Sequence, residues 1–221
     1  MYFAVKKKQK TVSNDKPNDI SHIGQLPGIF VDCKLNFQKH IEYVSNSALL
    51  KCRQLLRCFR STNVSLYFKL YNVYVQPLLN YGCEIYNPSS KRMIKLLEMP
   101  LKFHSRKVYQ RCNVSYTSYD DRLAQSNQKS VQHQRILQIL KTYHNILSGE
   151  YHFPDVSALK KSRSPRCPYM MRACVPINNS FLLMNLPLWN RLAQHLLKPL
   201  SRQAFSTRLN SIPLELFLPP T

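Results

Sequence analysis

The chain has 221 residues, of which 44% are apolar, so it is long enough for one or two domains with a sizeable hydrophobic core. Lysine and arginine total 32 against 11 aspartates and glutamates, which gives a formal net charge of +21 at pH 7. Its four glycines are too scattered for a P-loop or a GxGxxG dinucleotide turn, which excludes two common nucleotide-binding motifs. No long apolar run and no secretory signal occurs, so we expect an intracellular protein without a membrane partner.

The excess of positive charge indicates a polyanionic partner. Like charges repel one another in a compact state, so the fold itself gains nothing from the excess. Nucleic acid is the most common compensating polyanion, and we therefore expect RNA, DNA or an RNA–DNA hybrid as the partner. Residues 37–112 carry 13 lysines and arginines against three carboxylates, and residues 151–221 carry nine against two. These two segments are the places where phosphate contacts are predicted.

A short β element and two helices are predicted in the first part of the chain. The segment GIFVDCKLNF (28–37) is rich in β-branched and aromatic residues, which is typical of a strand or hairpin arm. From Phe37 to Phe59, apolar residues recur every three or four positions, as on one face of an α-helix. A second helix is predicted to begin after an N-cap at Ser65 and to run towards Pro77.

Two further helices precede a proline-rich tail. The third helix is predicted around Met93 to Leu101, with Pro100 kinking or splitting it. The fourth helix is predicted over 131–147, and Gly149 suits the left-handed residue that ends many helices. Nine of the 14 prolines lie in 154–221, which predicts an irregular tail with only a short helix at 202–209.

These elements predict a mainly α fold. The expected architecture is a thumb-like helical bundle with a small N-terminal β element and a partly irregular C-terminal tail. The predicted segments are a β element (1–36), a helical domain (37–150), a basic linker (151–179) and a small C-terminal helical segment (180–221).

The sequence contains no self-contained catalytic site. The only adjacent carboxylates, Asp120 and Asp121 in TSYDDRL, lack the hydrophobic flanks of a polymerase YxDD hairpin. Acidic residues at this place suit the first turn of a short helix, next to its positive dipole end. The seven cysteines form no CxxC pair, so reduced and mostly buried thiols are expected rather than a metal site.

Four strings, in order along the chain, carry a resemblance to a known family. The first is LPGIFVDCKLNFQKHIEYVSNSALLKCRQLLRCFRS (26–61), and the most specific is LYNVYVQPLLNYGCEIYNPSSKRMIKLLEMPLKF (70–103). The third is CNVSYTSYDDRLAQ (112–125), and the fourth and weakest is PLWNRL (187–192) followed by Phe205 and Leu209. Together they resemble the region that follows the palm in reverse transcriptases of jockey-like non-LTR (LINE-class) retrotransposons.

The resemblance implies the end of a primer-contacting element followed by the thumb and connection of an RNA-directed DNA polymerase. In that family the catalytic carboxylates lie upstream, in palm motifs that this sequence does not contain, so no catalytic residue is carried over. The chain is therefore expected to be inactive by itself and to bind no cofactor, with Mg²⁺ needed only in the full-length polymerase. An upstream palm domain is an expected partner where the full-length protein has one.

Basic side chains on the predicted helices are the candidate contacts to nucleic acid. Lysine and arginine bind phosphates without reading the base sequence, as a polymerase grip on a template–primer duplex requires. Four tyrosines at helical spacing (67, 71, 74 and 81) are further candidates, as stacking platforms for bases. The predicted phosphate contacts are Lys39, Lys51, Arg53, Arg57, Arg60, Lys91, Arg92 and Lys95.

Two alternatives stay open on the sequence alone. The chain is either a segment of an active polymerase or a vestigial or adopted basic protein that binds nucleic acid without polymerase context. A third interpretation is a helical scaffold that binds another protein, with the charge serving solubility. A strong dependence of binding on salt would separate the nucleic-acid interpretations from the scaffold.

Overall fold

The structure is a computed structural model that describes residues 24–26, 28–31, 37–88, 90–115, 117–162, 167, 169–174, 180–194 and 201–217. Its strands form two antiparallel pairs, β1 (Gly24–Leu26) with β2 (Ile29–Val31) and β3 (Leu159–Lys161) with β4 (Met171–Ala173). The helices are α1 (Gln38–Cys58), α2 (Val64–Tyr74), α3 (Gln76–Asn80), α4 (Lys91–Arg111), α5 (Tyr119–Gln125), α6 (Val131–Leu147), α7 (Phe181–Met184), α8 (Leu186–Ala193) and α9 (Arg202–Asn210), with 3₁₀ turns at Pro154–Ala158 and Leu214–Phe217.

The predicted fold class is confirmed, since the described chain is mainly α with a small N-terminal β hairpin. The helix predicted from Phe37 to Phe59 is α1, which buries the expected stripe of Ile41, Val44, Ala48, Cys52 and Leu55. The short helix predicted at 202–209 is α9. None of the helices in the described ranges is both long enough and apolar enough to cross a lipid bilayer.

Two helix boundaries test the capping predictions. Gly149 has a φ of +80° and follows the C-cap of α6, as predicted. The predicted start of α2 is wrong by two residues, because the N-cap is Asn63 and not Ser65. The Asn63 side chain accepts a hydrogen bond from the Leu66 amide at 3.3 Å. Asparagine and serine are similarly good N-caps, so local propensity alone does not distinguish the two positions.

Helices α1 and α4 are the longest elements, and they pack side by side in the same direction. Ser45 in the middle of α1 contacts Leu96 in the first half of α4, and Phe59 after α1 accepts a hydrogen bond from Arg111 at the end of α4. Each helix has 21 residues, which corresponds to about 31 Å of length. The shorter helices α2 and α3 return the chain from the end of α1 to the start of α4.

Pro100 lies inside α4, yet α4 is a single helix, so of the two predicted effects, kinking or splitting, splitting is wrong. Proline has no amide hydrogen, and the carbonyl of Leu96 therefore loses its usual partner four residues later. The buried hydroxyl of Ser45 on α1 donates to this carbonyl at 2.7 Å. A hydrogen bond between two helices thus replaces the one that proline removes.

Replacing Ser45 by alanine should lower the free energy of unfolding by about 1–2 kcal/mol, because the Leu96 carbonyl would be left buried without a partner. In a Pro100→Ala background the amide of residue 100 can donate to this carbonyl, so the same replacement should cost much less. Urea unfolding of the four proteins in this double-mutant cycle measures the coupling. Equal costs in both backgrounds would show that Ser45 does not compensate for Pro100.

Helix α6 belongs to both hydrophobic cores of the protein. The first core contains the buried residues of α1 to α5 and ends with Val131 at the start of α6. The second core begins at Ile136 in the same helix and includes Trp189, Phe205 and Phe217. The predicted division at 150–160 stays a prediction. In the described residues the C-terminal helices pack on α6, since Trp189 stacks on Tyr143 with ring centroids 5.0 Å apart.

The stretch 151–179, predicted as a linker, contains the β3–β4 pair. Asn190 of α8 holds this pair through both backbone groups of Met171, each at 2.9 Å. The neighbouring Trp189 donates its indole N–H to the Tyr169 carbonyl at 3.0 Å. The Trp-Asn pair of PLWNRL therefore fixes a strand pair on α8. Residues 1–23, 27 and 32–36 of the predicted β segment lie outside the described residues.

Candidate nucleic-acid interface

Exposed residues of α1 and α4 form one continuous surface, called the α1–α4 face below. Each helix buries its opposite side, α1 against α2 and α3, and α4 against α2, α5 and α6. The exposed residues recur every three or four positions, so they form one stripe on each helix. The face consists of Lys39, Tyr43, Asn46, Leu50, Arg53 and Arg57 on α1, and Arg92, Lys95, Met99, Lys102 and Arg106 on α4.

Five of the eight sequence-predicted cations lie on this face: Lys39, Arg53, Arg57, Arg92 and Lys95. Arg53 lies at the border between the two helices, with its guanidinium carbon 5.8 Å from the centre of the Phe103 ring on α4.

The other three predicted cations lie beside the face or away from it. Arg60 is exposed just beyond the C-cap of α1, and Lys91 is the exposed first residue of α4, at one edge of its stripe. Lys51 is half-buried and precedes Arg53 by two positions. Two residues correspond to about 200° around a helix, so Lys51 lies on the opposite flank of α1.

Two cations of the face, Lys102 and Arg106, are absent from the predicted set. They continue the spacing of Arg92, Lys95 and Met99 along α4. The signal was present in the sequence as the run of three- and four-residue steps. It was obscured by Pro100, which predicted the end of a regular helix at this point.

The positions of Lys91 and Arg92 at the start of α4 are not explained by helix stability. Neither α1 nor α4 has an acidic residue in its first turn, and the first turn of α4 holds Lys91 and Arg92 instead. The positive end of the helix dipole disfavours cations at such positions. Retaining them there is consistent with a role in binding an anion.

Within the described residues, no ion pair neutralises the positive charge of the face. The only ion pair among the described residues joins Arg202 to Glu150, and both lie outside α1 and α4. Glu42 of α1 is half-buried and accepts from Gln38 at 2.9 Å, and Glu98 of α4 is buried. The exposed surface of the two helices is therefore basic along its length.

Two of the four tyrosines considered as stacking platforms are unsuitable. Tyr67 and Tyr71 are completely buried, and the Tyr67 hydroxyl donates to the Phe59 carbonyl at 2.9 Å. These tyrosines belong to the core because they lie on the side of α2 that faces α1 and α4. Tyr74 and Tyr81 are about half exposed, so burial does not exclude these two.

Glu98 and Arg122, two polar residues from the resembling strings, are buried and join neighbouring elements instead of facing a ligand. Glu98 accepts hydrogen bonds from Tyr119 and from the Val131 amide, so α4 is tied to α5 and α6. Arg122 donates to the Thr117 carbonyl at 2.5 Å and to the Ser105 hydroxyl at 3.3 Å. These contacts give Glu98 and Arg122 a structural role.

A second buried cation, Arg135 of α6, follows the same pattern. It donates to the carbonyls of Leu79 and Tyr86, both at 2.5 Å, and its guanidinium lies 4.6 Å from the centre of the Tyr86 ring. The described residues place no carboxylate within ion-pair distance of Arg135. Carbonyl oxygens and an aromatic face therefore stabilise this charge in the core.

The adjacent carboxylates are at the start of a helix, as predicted. Asp120 and Asp121 lie in the first turn of α5, and the N-cap Ser118 accepts from the Asp121 amide at 3.2 Å. Within the described ranges no cluster of His, Cys, Asp or Glu side chains is arranged to hold a metal ion. The described cysteines are free thiols, and burial raises the pKa of Cys52 and Cys83 to about 12. These two thiols are therefore not nucleophiles near neutral pH.

Comparison with known proteins adds a relative without a described function. No protein-family model and no solved structure matches the chain. Over 153 residues the chain is 84% identical to the uncharacterized protein B0403.1 of Caenorhabditis elegans, and the matched part covers 69% of this chain and 74% of that protein. An identity this high over most of both chains means that this chain belongs to the same family as B0403.1 of Caenorhabditis elegans.

Proposed function

We propose that the chain is a non-catalytic nucleic-acid-binding module, corresponding to the C-terminal region of a non-LTR retrotransposon reverse transcriptase. It holds an RNA–DNA or duplex template–primer by its phosphates, through the α1–α4 face. The observation that carries the proposal is the continuous basic surface on two parallel helices, without exposed carboxylates or internal ion pairs. The four ordered sequence strings support the polymerase context.

The dimensions of the face suit a nucleic-acid backbone. Two helices of 21 residues give a surface about 31 Å long. Phosphates of one strand are spaced about 3.4 Å apart along the duplex axis, so the face runs beside roughly nine of them. Lysine and arginine at three- and four-residue steps give contacts that position a duplex without selecting its sequence.

The proposal predicts a salt dependence that can be removed by mutation. The test variant replaces Arg57, Arg92, Lys95 and Arg106 by glutamine, because these side chains make no hydrogen bond, ion pair or cation–π contact within the described residues. The control variant replaces Lys69, Lys160, Arg172 and Arg208, which are exposed on other elements, so both variants lose the same charge. Glutamine is a good helix former, so helicity should be retained.

Fluorescence anisotropy with an RNA–DNA hybrid over a salt series measures the effect. Four phosphate contacts correspond to a slope of log K against log salt of about −3.6. The test variant should lose most of that slope, whereas the control variant should keep it. A flat slope in the wild type would exclude nucleic-acid binding, and equal losses in both variants would mean that net charge rather than the α1–α4 face is responsible.

A protein-binding scaffold is a second candidate, favoured by an apolar surface elsewhere. Residues 70–90 contain no lysine or arginine, although the chain as a whole carries a net charge of +21. The same stretch exposes several apolar side chains, namely Val73, Tyr74, Leu78, Tyr81 and Ile85. A scaffold that uses this surface would bind its partner with little dependence on salt, which distinguishes it from the first proposal.

A further inference from the structure

A polar cavity of about 230 Å³ lies between α6, the turn that follows it, and α9. Its volume is several times the roughly 30 Å³ that one water molecule occupies in the liquid. It is distinct from the α1–α4 face and lies beside the second hydrophobic core. The cavity is lined by Gln138, Lys141, Thr142, Asn145, Tyr151, Arg202, Phe205 and Ser206.

The lining contains two cations and no carboxylate. Lys141 is half-buried and makes no hydrogen bond or ion pair to another residue in the described part of the chain. Its uncompensated charge also contributes, after burial, to lowering the pKa of Lys129. Arg202 contacts Glu150 through one terminal nitrogen at 3.1 Å, which leaves its other N–H groups for a ligand.

The remaining walls provide neutral hydrogen-bonding groups and an aromatic base. Ser206 and Tyr151, which both carry hydroxyls, line the space, and Tyr151 is about half exposed. Phe205 is buried beneath them and stacks on His144 with ring centroids 4.1 Å apart. Gln138 and Thr142 are already engaged, because both donate to the Glu84 carboxylate. The available groups around this concave space are therefore two cations, two hydroxyls and the side-chain amide of Asn145.

We propose that this cavity binds a phosphate group, carried either by a free nucleotide or by the end of a nucleic-acid strand. Lys141 supplies a point charge, Arg202 supplies paired N–H donors, and Ser206 supplies a hydroxyl donor, a combination that matches the oxygens of a phosphate. Tyr151 lies at the opening, where its ring can contact an attached sugar or base. The inference does not depend on the α1–α4 face, since the two sites share no residue.

Calorimetric titration with three probes tests the site and identifies the carrier of the phosphate. The probes are inorganic phosphate, adenosine monophosphate, and a short single strand with either a 5′-phosphate or a 5′-hydroxyl. The strand is titrated into the α1–α4 test variant, so that backbone contacts on the face do not contribute. If adenosine monophosphate binds more tightly than inorganic phosphate and the strand, the cavity is a nucleotide site. If the strand with a 5′-phosphate binds more tightly than adenosine monophosphate and than the strand with a 5′-hydroxyl, the cavity is a strand-end site.

The double variant K141Q/R202Q should weaken the binding of every phosphate probe by about tenfold or more. The matched control is K160Q/R172Q, which removes two exposed cations from the β3–β4 pair and should leave binding unchanged. Lys141→Met alone keeps the aliphatic stem in place and serves as the second variant if the double variant unfolds. Absence of binding by all probes, or equal binding by wild type and K141Q/R202Q, would overturn the proposal.

Discussion

Replacing Glu98 by alanine is expected to lower the free energy of unfolding by roughly 3–5 kcal/mol, because three hydrogen-bond donors would lose one buried acceptor. The carboxylate accepts from the Tyr119 hydroxyl, from the Val131 amide at 3.1 Å and from the Gln132 amide at 3.2 Å. Burial of Tyr119, together with this carboxylate, holds the pKa of the tyrosine well above its usual value. The hydroxyl is therefore protonated and able to donate.

The Val131 and Gln132 amides explain why the Glu98 carboxylate of α4 lies beside the start of α6. The first four amides of a helix have no partner within the helix. Ser130 accepts from the His133 amide at 3.2 Å, and Glu98 accepts from the two amides before it. The negative charge also faces the positive end of the helix dipole. Glu98 on α4 therefore caps α6, the helix on which both cores depend.

Urea unfolding followed by circular dichroism at pH 7.5 measures the effect. Glu98→Gln keeps an acceptor oxygen and should cost less than Glu98→Ala, and Tyr119→Phe should cost about 1–2 kcal/mol. Glu150→Ala is the surface control, since its ion pair with Arg202 is partly exposed and should contribute less than about 1 kcal/mol. If Glu98→Ala costs no more than Glu150→Ala, the carboxylate does not hold the helices together.

Local patterns in the sequence predicted most of the helices. The apolar stripe of α1, the acidic first turn of α5 and the glycine after α6 are short-range features, and each is found where it was expected. Such features depend on residues within one or two helical turns. Their physical cause is contained in the segment that carries them.

Apart from the N-cap of α2, long-range contacts account for the features that the sequence analysis missed. Ser45 and Leu96 are 51 residues apart. No local pattern shows that the Ser45 hydroxyl donates to the carbonyl that Pro100 leaves without a partner in α4. Arg135 lies 56 residues from Leu79, so nothing near it in sequence distinguishes it from an exposed arginine. Tyr67 and Tyr71 are candidates for stacking from the sequence because their helical spacing shows that they share one side of α2. The spacing does not show that other helices bury this side.

The same reasoning applies to the candidate interface. The sequence predicted basic helices, and five of its eight cations lie on the α1–α4 face. Helical spacing alone puts Lys102 and Arg106 on the stripe of Arg92 and Lys95. It also separates Lys51 from Arg53. The packing of α1 beside α4 is what joins the stripes of the two helices into one face. Which helix packs beside which is a property of the tertiary structure. A contact set derived from single helices is therefore necessarily incomplete.

Acidification from pH 7 to pH 4 should destabilise the protein strongly, and His104 should account for about 3 kcal/mol of the loss. His104 is fully buried, and its Nε2 lies 3.2 Å from the Tyr67 carbonyl. The rings of Phe68 and Tyr71 lie against it, with centroids 5.9 and 5.0 Å away. Burial lowers the pKa of His104 from 6.5 to about 4, because the charged imidazolium loses its hydration.

The sign follows from proton binding in the two states. Between pH 6.5 and about pH 4 the unfolded chain carries a proton on this histidine and the folded chain does not. Protons therefore favour unfolding, and the stabilisation present above pH 6.5 is lost as the pH falls through this range. Burial also lowers the pKa of His40 and of His133, which adds to the loss in the same direction.

Urea unfolding free energies at half-unit steps from pH 7.5 to pH 4 test this expectation. His104→Gln keeps a donor for the Tyr67 carbonyl but does not titrate, so its stability should fall by about 3 kcal/mol less than that of the wild type over this range. His152→Gln removes an exposed histidine and should reproduce the wild-type profile. If His104→Gln and His152→Gln give the same pH profile, His104 is not the group that makes the fold sensitive to acid.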